Sequence, residues 1–213
     1  MIFQDNVVKE YLKNVYFVTG TPCGGKTTIS HELGKRHNLL VYDVDEKFSQ
    51  HQRISNPIYQ PAMNKKFKNA DEFFGRTIED YSAWLLKSTR EQLDYILMDL
   101  IQISHNQIVI CDLHLTVDEA NLITDYERIV FLIKNPTNII NEYCNRPDHN
   151  DFNNYINSTT NPKEAMTNCN NTLEYLNQIK YEKIKKSQYF WLERDSYSTI
   201  EDTVCRVEQH FRL

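Results

Sequence analysis

Gly20-Thr21-Pro22-Cys23-Gly24-Gly25-Lys26-Thr27 reads as a complete phosphate-binding loop, G-x-x-x-x-G-K-[ST]. The chain has only 5 glycines in 213 residues, and Gly20, Gly24 and Gly25 all lie in this one turn. Glycine is placed where the backbone must take positive φ or come very close to another group. In this pattern backbone N–H groups curl around phosphate oxygens, Lys26 reaches the β- and γ-phosphates, and the Thr27 hydroxyl holds Mg²⁺. The flanks agree. Val15-Tyr16-Phe17-Val18-Thr19 is a short apolar, β-branched strand. Thr27 to Arg36, with Ile29 and Leu33 on one face, reads as a helix whose positive N-terminal end points at the phosphates. Gly20 to Thr28, that is Gly20, Thr21, Pro22, Cys23, Gly24, Gly25, Lys26, Thr27 and Thr28, is therefore the expected nucleotide site, with ATP and Mg²⁺ as cofactors.

Outward from this loop, apolar runs alternate with amphipathic stretches, as in βαβ units around a parallel sheet. Further strands are expected at Leu39 to Tyr42, Gln107 to Cys111, Arg128 to Ile133 and Gln188 to Leu192. Their near-continuous apolar character suits a sheet covered on both faces. Between the second and third strands, Ile78, Tyr81, Leu85, Leu93, Ile96, Leu100 and Ile103 recur at helical spacing. They mark one long helix, or two with a break at Ser88-Thr89. A last helix is expected from Thr199 to Phe211 with Ser198 as N-cap. Asn145 to Asn161, rich in Asn, Asp, Ser, Thr and Pro, reads as a mobile loop. The expected fold is α/β: three layers of the P-loop NTPase type, with five parallel strands flanked by helices, in one domain over 1–213 with a lid at about 145–165.

Ligands of open α/β sheets bind outside the carboxyl ends of the strands. Phosphoryl transfer needs Mg²⁺, positive charge on the moving group and a carboxylate that orients the acceptor hydroxyl. Asp43 and Asp45 follow the second strand and can divide the metal and acceptor roles; a helix cap is the alternative for the pair. Asp112 ends the third strand, where a second metal-associated acid belongs. His114 either touches the acceptor or packs. Arg146 at the mouth of the lid is the candidate cation that closes on the γ-phosphate. Arg76 suits an acceptor carboxylate or phosphate.

Bulk properties narrow the classes. A net charge of -5 argues against a general nucleic-acid or anionic-membrane binder. Lys180, Lys183, Lys185 and Lys186 cluster on an expected helix and read as a solvated face. No signal peptide and no membrane-spanning run is visible. The 5 cysteines form no C-x-x-C pair and fit reduced thiols, so a cytosolic location is expected. The spacing of Cys111 and His114 is a weak zinc signal.

With these residues in place, the chain resembles the small P-loop kinases of the shikimate kinase, gluconate kinase and nucleoside monophosphate kinase group. The resemblance lies in the loop Gly20 to Thr27, the Asp43-Val44-Asp45 pair, Arg76-x-x-Glu79, and Arg146-Pro147 in a lid. It implies an ATP- and Mg²⁺-dependent kinase acting on a small hydroxyl- or phosphate-bearing metabolite. Under it, Lys26, Asp45 and Arg146 are catalytic, Asp45, Arg76, Asp112 and His114 bind the acceptor, and Thr27, Asp43 and Asp112 hold the metal. Shikimate kinases carry a glycine-rich turn where this chain has Cys111-Asp112-Leu113-His114, so the acceptor stays open. The alternative class is a nucleotide-binding switch or regulatory ATPase acting on a macromolecular partner. A kinase requires a second concavity lined by Asp45, Arg76 and His114; a switch leaves them scattered.

Overall fold

The computed structural model describes residues 4–143 and 149–213. Among these, the strands β1 (Val15–Gly20), β2 (Leu40–Asp43), β3 (Val109–Asp112), β4 (Ile129–Ile133) and β5 (Trp191–Glu193) form one sheet in the order β2-β3-β1-β4-β5. Every pairing is parallel. This is the all-parallel, helix-flanked sheet that the alternation of apolar and amphipathic segments implies.

Side chains alternate between the two faces, and each face buries its own cluster. Val15, Phe17, Tyr42, Cys111, Phe131 and Ile133 face α5 (Ile78–Ser104), α6 (Val117–Ile123) and the end of α9 (Pro162–Lys186). Val18, Ile110, Val130 and Leu132 face α2 (Lys26–His37) and α10 (Ile200–Phe211) through Ile29, Leu33, Val204, Val207 and Phe211. β1 lies between β3 and β4, so the chain crosses to either side of it, and the crevice at its carboxyl end is where such sheets bind ligands.

A third cluster stands above the strand ends. It joins α4 (Ala70–Phe74), the start of α5, α8 (Asn150–Asn157) and the first half of α9 through Ala70, Phe74, Tyr81, Ile156, Ala165 and Cys169. α5 is continuous across Ser88-Thr89: Ser88 is buried, and the Thr89 hydroxyl donates to the Leu85 carbonyl one turn back (2.9 Å), so neither interrupts the ladder. The expected loop from 145 to 161 is corrected in part, because Asn150–Asn157 is helical. Phe152, Tyr155 and Ile156 supply one apolar stripe, and Ile156 is buried. The N-cap of α10 is Thr199, which accepts from the Asp202 N–H (3.1 Å), and not Ser198, whose hydroxyl is engaged with Asp195. β5 starts later than expected, since Ser187 to Phe190 turn before entering the sheet.

Candidate active site

The phosphate-binding loop is pressed against the end of β4. A Cβ on Gly24 would lie 2.3 Å from the Leu132 carbonyl oxygen, and one on Gly20 only 1.8 Å from it. Gly25 instead has room, but its φ of +94° is one that glycine alone tolerates well. The Thr21 N–H donates to the Leu132 carbonyl (3.1 Å), and the buried Thr21 hydroxyl accepts from the Lys134 N–H (2.8 Å). Gly25 caps α2 without a side chain, and the first turn of α2 holds no acidic residue. The amides at the positive end of this helix thus face a space that no capping side chain fills. Lys26 Nζ folds back onto the Thr21 carbonyl (3.3 Å). Cys23 sits at φ +57°, and its carbonyl accepts from Arg194 (3.0 Å). Beside the loop, Gly24, Gly25, Thr28, Arg194, Ser198 and Thr203 border a cavity of about 150 Å³.

The acids follow from strand register. Asp43 and Asp112 are paired positions at the ends of the neighbouring strands β2 and β3. Thr27 Oγ1 donates to Asp112 Oδ2 (2.6 Å). Burial raises the Asp112 pKa above the ordinary carboxylate value; Asp43 and Asp45 push the same way, while Lys26 and the Thr27 hydroxyl oppose. Asp43 is the N-cap of α3 (Val44–Ile54), accepting from the Asp45 N–H (2.9 Å). The capping role thus falls to Asp43, and Asp45 stands exposed on the first turn. A hydroxyl against a half-buried carboxylate, with two more carboxylates near, is an oxygen-only donor set. Among the described residues no group of three or more His, Cys, Asp and Glu side chains makes a closed metal cage. Such a sparse oxygen set fits Mg²⁺, which keeps most of its waters and takes one or two protein ligands. Thr27 and Asp112 would hold it. The zinc reading finds no support here: Cys111 is wholly buried in the core beneath the sheet.

His114 lies beyond Asp112 and is exposed to solvent. Its Nδ1 is 3.5 Å from Lys180 Nζ. The charge of Lys26, then burial, then the charge of Lys180 lower its pKa well below the usual value, so the ring is neutral. Lys180 itself is half-buried on α9, and burial together with Lys26 lowers its pKa to about 7. This corrects the solvated-face reading of that lysine. Lys185 pairs with Glu193 (3.1 Å) and Lys186 with Glu182 (4.0 Å) on the outer side, but Lys180 shares the inner face with buried Asn177 and Ile184. The i, i+3, i+7 spacing of those three residues is the signal that locates it.

Two expected site residues stand apart. Arg76 lies in the upper cluster, its guanidinium 4.2 to 4.6 Å from the ring centroids of Phe67, Phe73, Tyr81 and Trp84. Its Nε donates to the Phe73 carbonyl (2.8 Å), its two terminal nitrogens are buried without a hydrogen-bond partner among the described residues, and burial lowers its pKa. Gln92 of α5 touches the Val44 carbonyl at the strand ends (3.2 Å), and the helix rise carries Arg76 about 20 Å beyond that level. Asp45 is brought near Asp112, and His114 follows two residues beyond Asp112; Arg76 is not brought to them. Arg146 lies outside the described residues.

No protein-family model matches the sequence, and no curated protein matches it. Among solved structures, a shikimate kinase from Bacteroides thetaiotaomicron superposes with a TM-score of 0.50 at 15% identity, over 93% of this chain and 98% of that chain. A shikimate kinase from Aquifex aeolicus aligns over 93% of this chain and 96% of that chain, at 15% identity and a TM-score of 0.46. The chain has the fold of the shikimate-kinase-like P-loop proteins.

Proposed function

We propose that the protein is a kinase that moves the γ-phosphoryl group of a nucleoside triphosphate, taken here as ATP, to a small-molecule acceptor. The observation that carries this is the junction of loop and strand ends: Thr27 bonded to Asp112 (2.6 Å), Asp43 paired beside it, and Lys26 at the same point. In this reading the loop amides and the start of α2 hold the phosphates, and the cavity beside Arg194 and Thr28 takes the nucleoside end. Mg²⁺ held by Thr27 and Asp112 would supply charge neutralisation to the phosphates. Lys26 leaves the Thr21 carbonyl and turns to the γ-phosphate. Asp45 accepts the hydrogen bond of the acceptor hydroxyl and aligns it with the phosphorus. Neutral His114 donates or accepts a hydrogen bond at the acceptor without adding charge.

The experiment is ADP release in the presence of Mg²⁺ across nucleosides, nucleotides, sugar acids, shikimate and aminoglycosides. One acceptor that raises turnover far above the acceptor-free rate supports the kinase. Lys26→Ala should abolish that turnover, and Asp45→Asn should spare nucleotide binding while removing transfer. The separation of Arg76 from Asp45 and His114 favours a second reading, a nucleotide-dependent switch. Tight nucleotide binding with slow hydrolysis that no acceptor accelerates would decide for it.

A further inference from the structure

Asp45 stands on the first turn of α3, directly after β2, and β2 is an edge strand with a neighbour on one side only. Asp43 is in register with Asp112, so like charges stand side by side where that turn begins. Something must hold the turn against them. Gln92 of α5 does so from inside the protein. It is buried, and its Nε2 donates to the Val44 carbonyl (3.2 Å), the oxygen of the Val44–Asp45 peptide. The same nitrogen lies 3.4 Å from His51 Nδ1. Val44 and His51 are two turns apart on one face of α3, so a single carboxamide grips that helix at both places. An amide nitrogen has two hydrogens, one for the carbonyl and one for the ring. His51 Nδ1 therefore accepts, and the ring proton sits on Nε2, which donates to Asp99 Oδ2 (3.0 Å). Turning the carboxamide over would set its oxygen against the Val44 oxygen, which excludes the opposite assignment. Asp99 also accepts from Tyr42 of β2 (2.6 Å), and Tyr95 stacks on the His51 ring with centroids 5.6 Å apart. The ring that orients Gln92 is itself fixed from β2 and α5.

Resting on the kinase reading, we propose that Gln92 is the positioning residue for Asp45, and that His51 sets the direction of its amide. Buried in the contact between α3 and α5, Gln92 acts through the Val44–Asp45 peptide rather than on any substrate atom. It pins the carbonyl next to the residue whose carboxylate aligns the acceptor hydroxyl, and a displacement of about 1 Å there costs on the order of a hundredfold in transfer. The chain runs from Tyr42 through Asp99, His51 and Gln92 to Val44, and each member fixes the donor or acceptor sense of the next.

The test is NMR of the isotope-labelled full chain with ADP and excess Mg²⁺, without acceptor. Three-bond couplings to the Asp45 carboxyl carbon report whether χ1 occupies one staggered rotamer or averages over several. In wild type Asp45 should hold one rotamer, and the His51 nitrogens should show the proton on Nε2. Gln92→Met keeps the bulk and removes both donors, so the Asp45 couplings should average while ADP affinity stays within about twofold. His51→Asn places Oδ1 where Nδ1 stood and should keep the rotamer; His51→Leu, which cannot accept, should lose it. In turnover with the acceptor that the ADP-release panel selects, Gln92→Met should lose about tenfold to a hundredfold in kcat/KM for the acceptor, with the KM for ATP unchanged. A single rotamer retained in Gln92→Met, averaged couplings in wild type, or a proton on His51 Nδ1 would each overturn the assignment. So would unchanged acceptor kinetics in Gln92→Met, or a loss of ADP affinity equal to the loss in transfer, which would make the residue structural. If Gln92→Met does not fold, the two His51 variants decide, and equal Asp45 couplings in both overturn the assignment. Failure of wild type to bind ADP, or of every panel acceptor to raise turnover, refutes the kinase reading itself, a result separate from any coupling measured on Asp45.

Discussion

The contact between Gly24 and β4 makes the sharpest prediction. A methyl group on Gly24 would lie 2.3 Å from the Leu132 oxygen and 2.8 Å from its carbon, and must retreat by about 1 Å to reach an ordinary contact distance. Leu132 is central to β4 and does not yield, so the loop moves. That motion strains the bonds that hold it, Thr21 N–H to Leu132 (3.1 Å) and Lys134 N–H to the Thr21 hydroxyl (2.8 Å). At about 1 kcal/mol each, Gly24→Ala should destabilise the protein by about 2 kcal/mol. For a chain of this length that lowers Tm by roughly 4–8 °C. A phosphate cradle displaced by about 1 Å should weaken nucleotide binding and, for a kinase, cost on the order of a hundredfold in turnover. Gly25→Ala is the control. Its methyl would meet nothing nearer than Arg194 Cδ at 4.0 Å, so the cost is only positive-φ strain, about 1–2 kcal/mol. The assay is thermal unfolding by circular dichroism, alone and with ADP and Mg²⁺. A Gly24→Ala protein that melts within about 1 °C of wild type and gains the same stabilisation from nucleotide refutes the loop-on-strand argument.

Other residues give independent tests. Asp112 has a raised native pKa, so the folded state binds its proton more tightly than the unfolded chain does, and stability falls as pH rises through that interval. Asp112→Asn should therefore raise the Tm of the nucleotide-free protein at neutral pH while removing the extra stabilisation that Mg²⁺ adds to ADP, both read by differential scanning fluorimetry. Lys180 is lowered to about 7, so below that pH its charge opposes folding, and the penalty fades as pH rises toward its ordinary value. The Tm of Lys180→Met should exceed wild type at pH 6, and the gap should narrow as pH rises above 7 and close only near the ordinary lysine value of 10.5. Asp99 Oδ2 accepts from Tyr42 (2.6 Å) and from His51 Nε2 (3.0 Å), joining β2, α3 and α5. Asp99→Ala leaves both donors unpaired and should cost about 2–4 kcal/mol in urea unfolding. Arg76→Ala removes the cation from four rings, and should lower Tm by several degrees without changing the Kd for ADP.

What the sequence makes legible is what local chemistry determines. Glycines are so scarce that the loop stands out, and the buried strands are apolar runs needing no long-range information. The pairing of Asp43 with Asp112 is not of that kind, because it depends on β2 lying beside β3, which the order of the sheet decides. The upper cluster is different. Phe67, Phe73, Tyr81 and Trp84 gather around Arg76 from the segment before α4, from α4 itself and from the start of α5, and α8 and α9 close over them. Nothing in the short motif around Arg76 distinguishes a guanidinium bound for an acceptor from one packed among rings. Only the length of α5 separates them, by carrying Arg76 far from Asp45. The Asn-rich stretch hid a helix for a related reason: its apolar residues are few, and Ile156 becomes a core residue only because Phe74 and Cys169 meet it there.

Lys180 shows how such distant placement produces chemistry. α9 buries Ala165 and Cys169 in the upper cluster and Ile184 in the sheet cluster, so one rigid helix of 25 residues is anchored at both ends. The same arrangement opposes folding of the empty protein, because burial and the charge of Lys26 disfavour the charged form of Lys180, while burial with Asp43 and Asp45 disfavours that of Asp112. Sites that hold like charges together are relieved when the complementary ligand binds. This is why Lys180→Met and Asp112→Asn, of opposite charge, share an expected signature: each stabilises the empty chain. A substitution that merely damaged the fold would destabilise it.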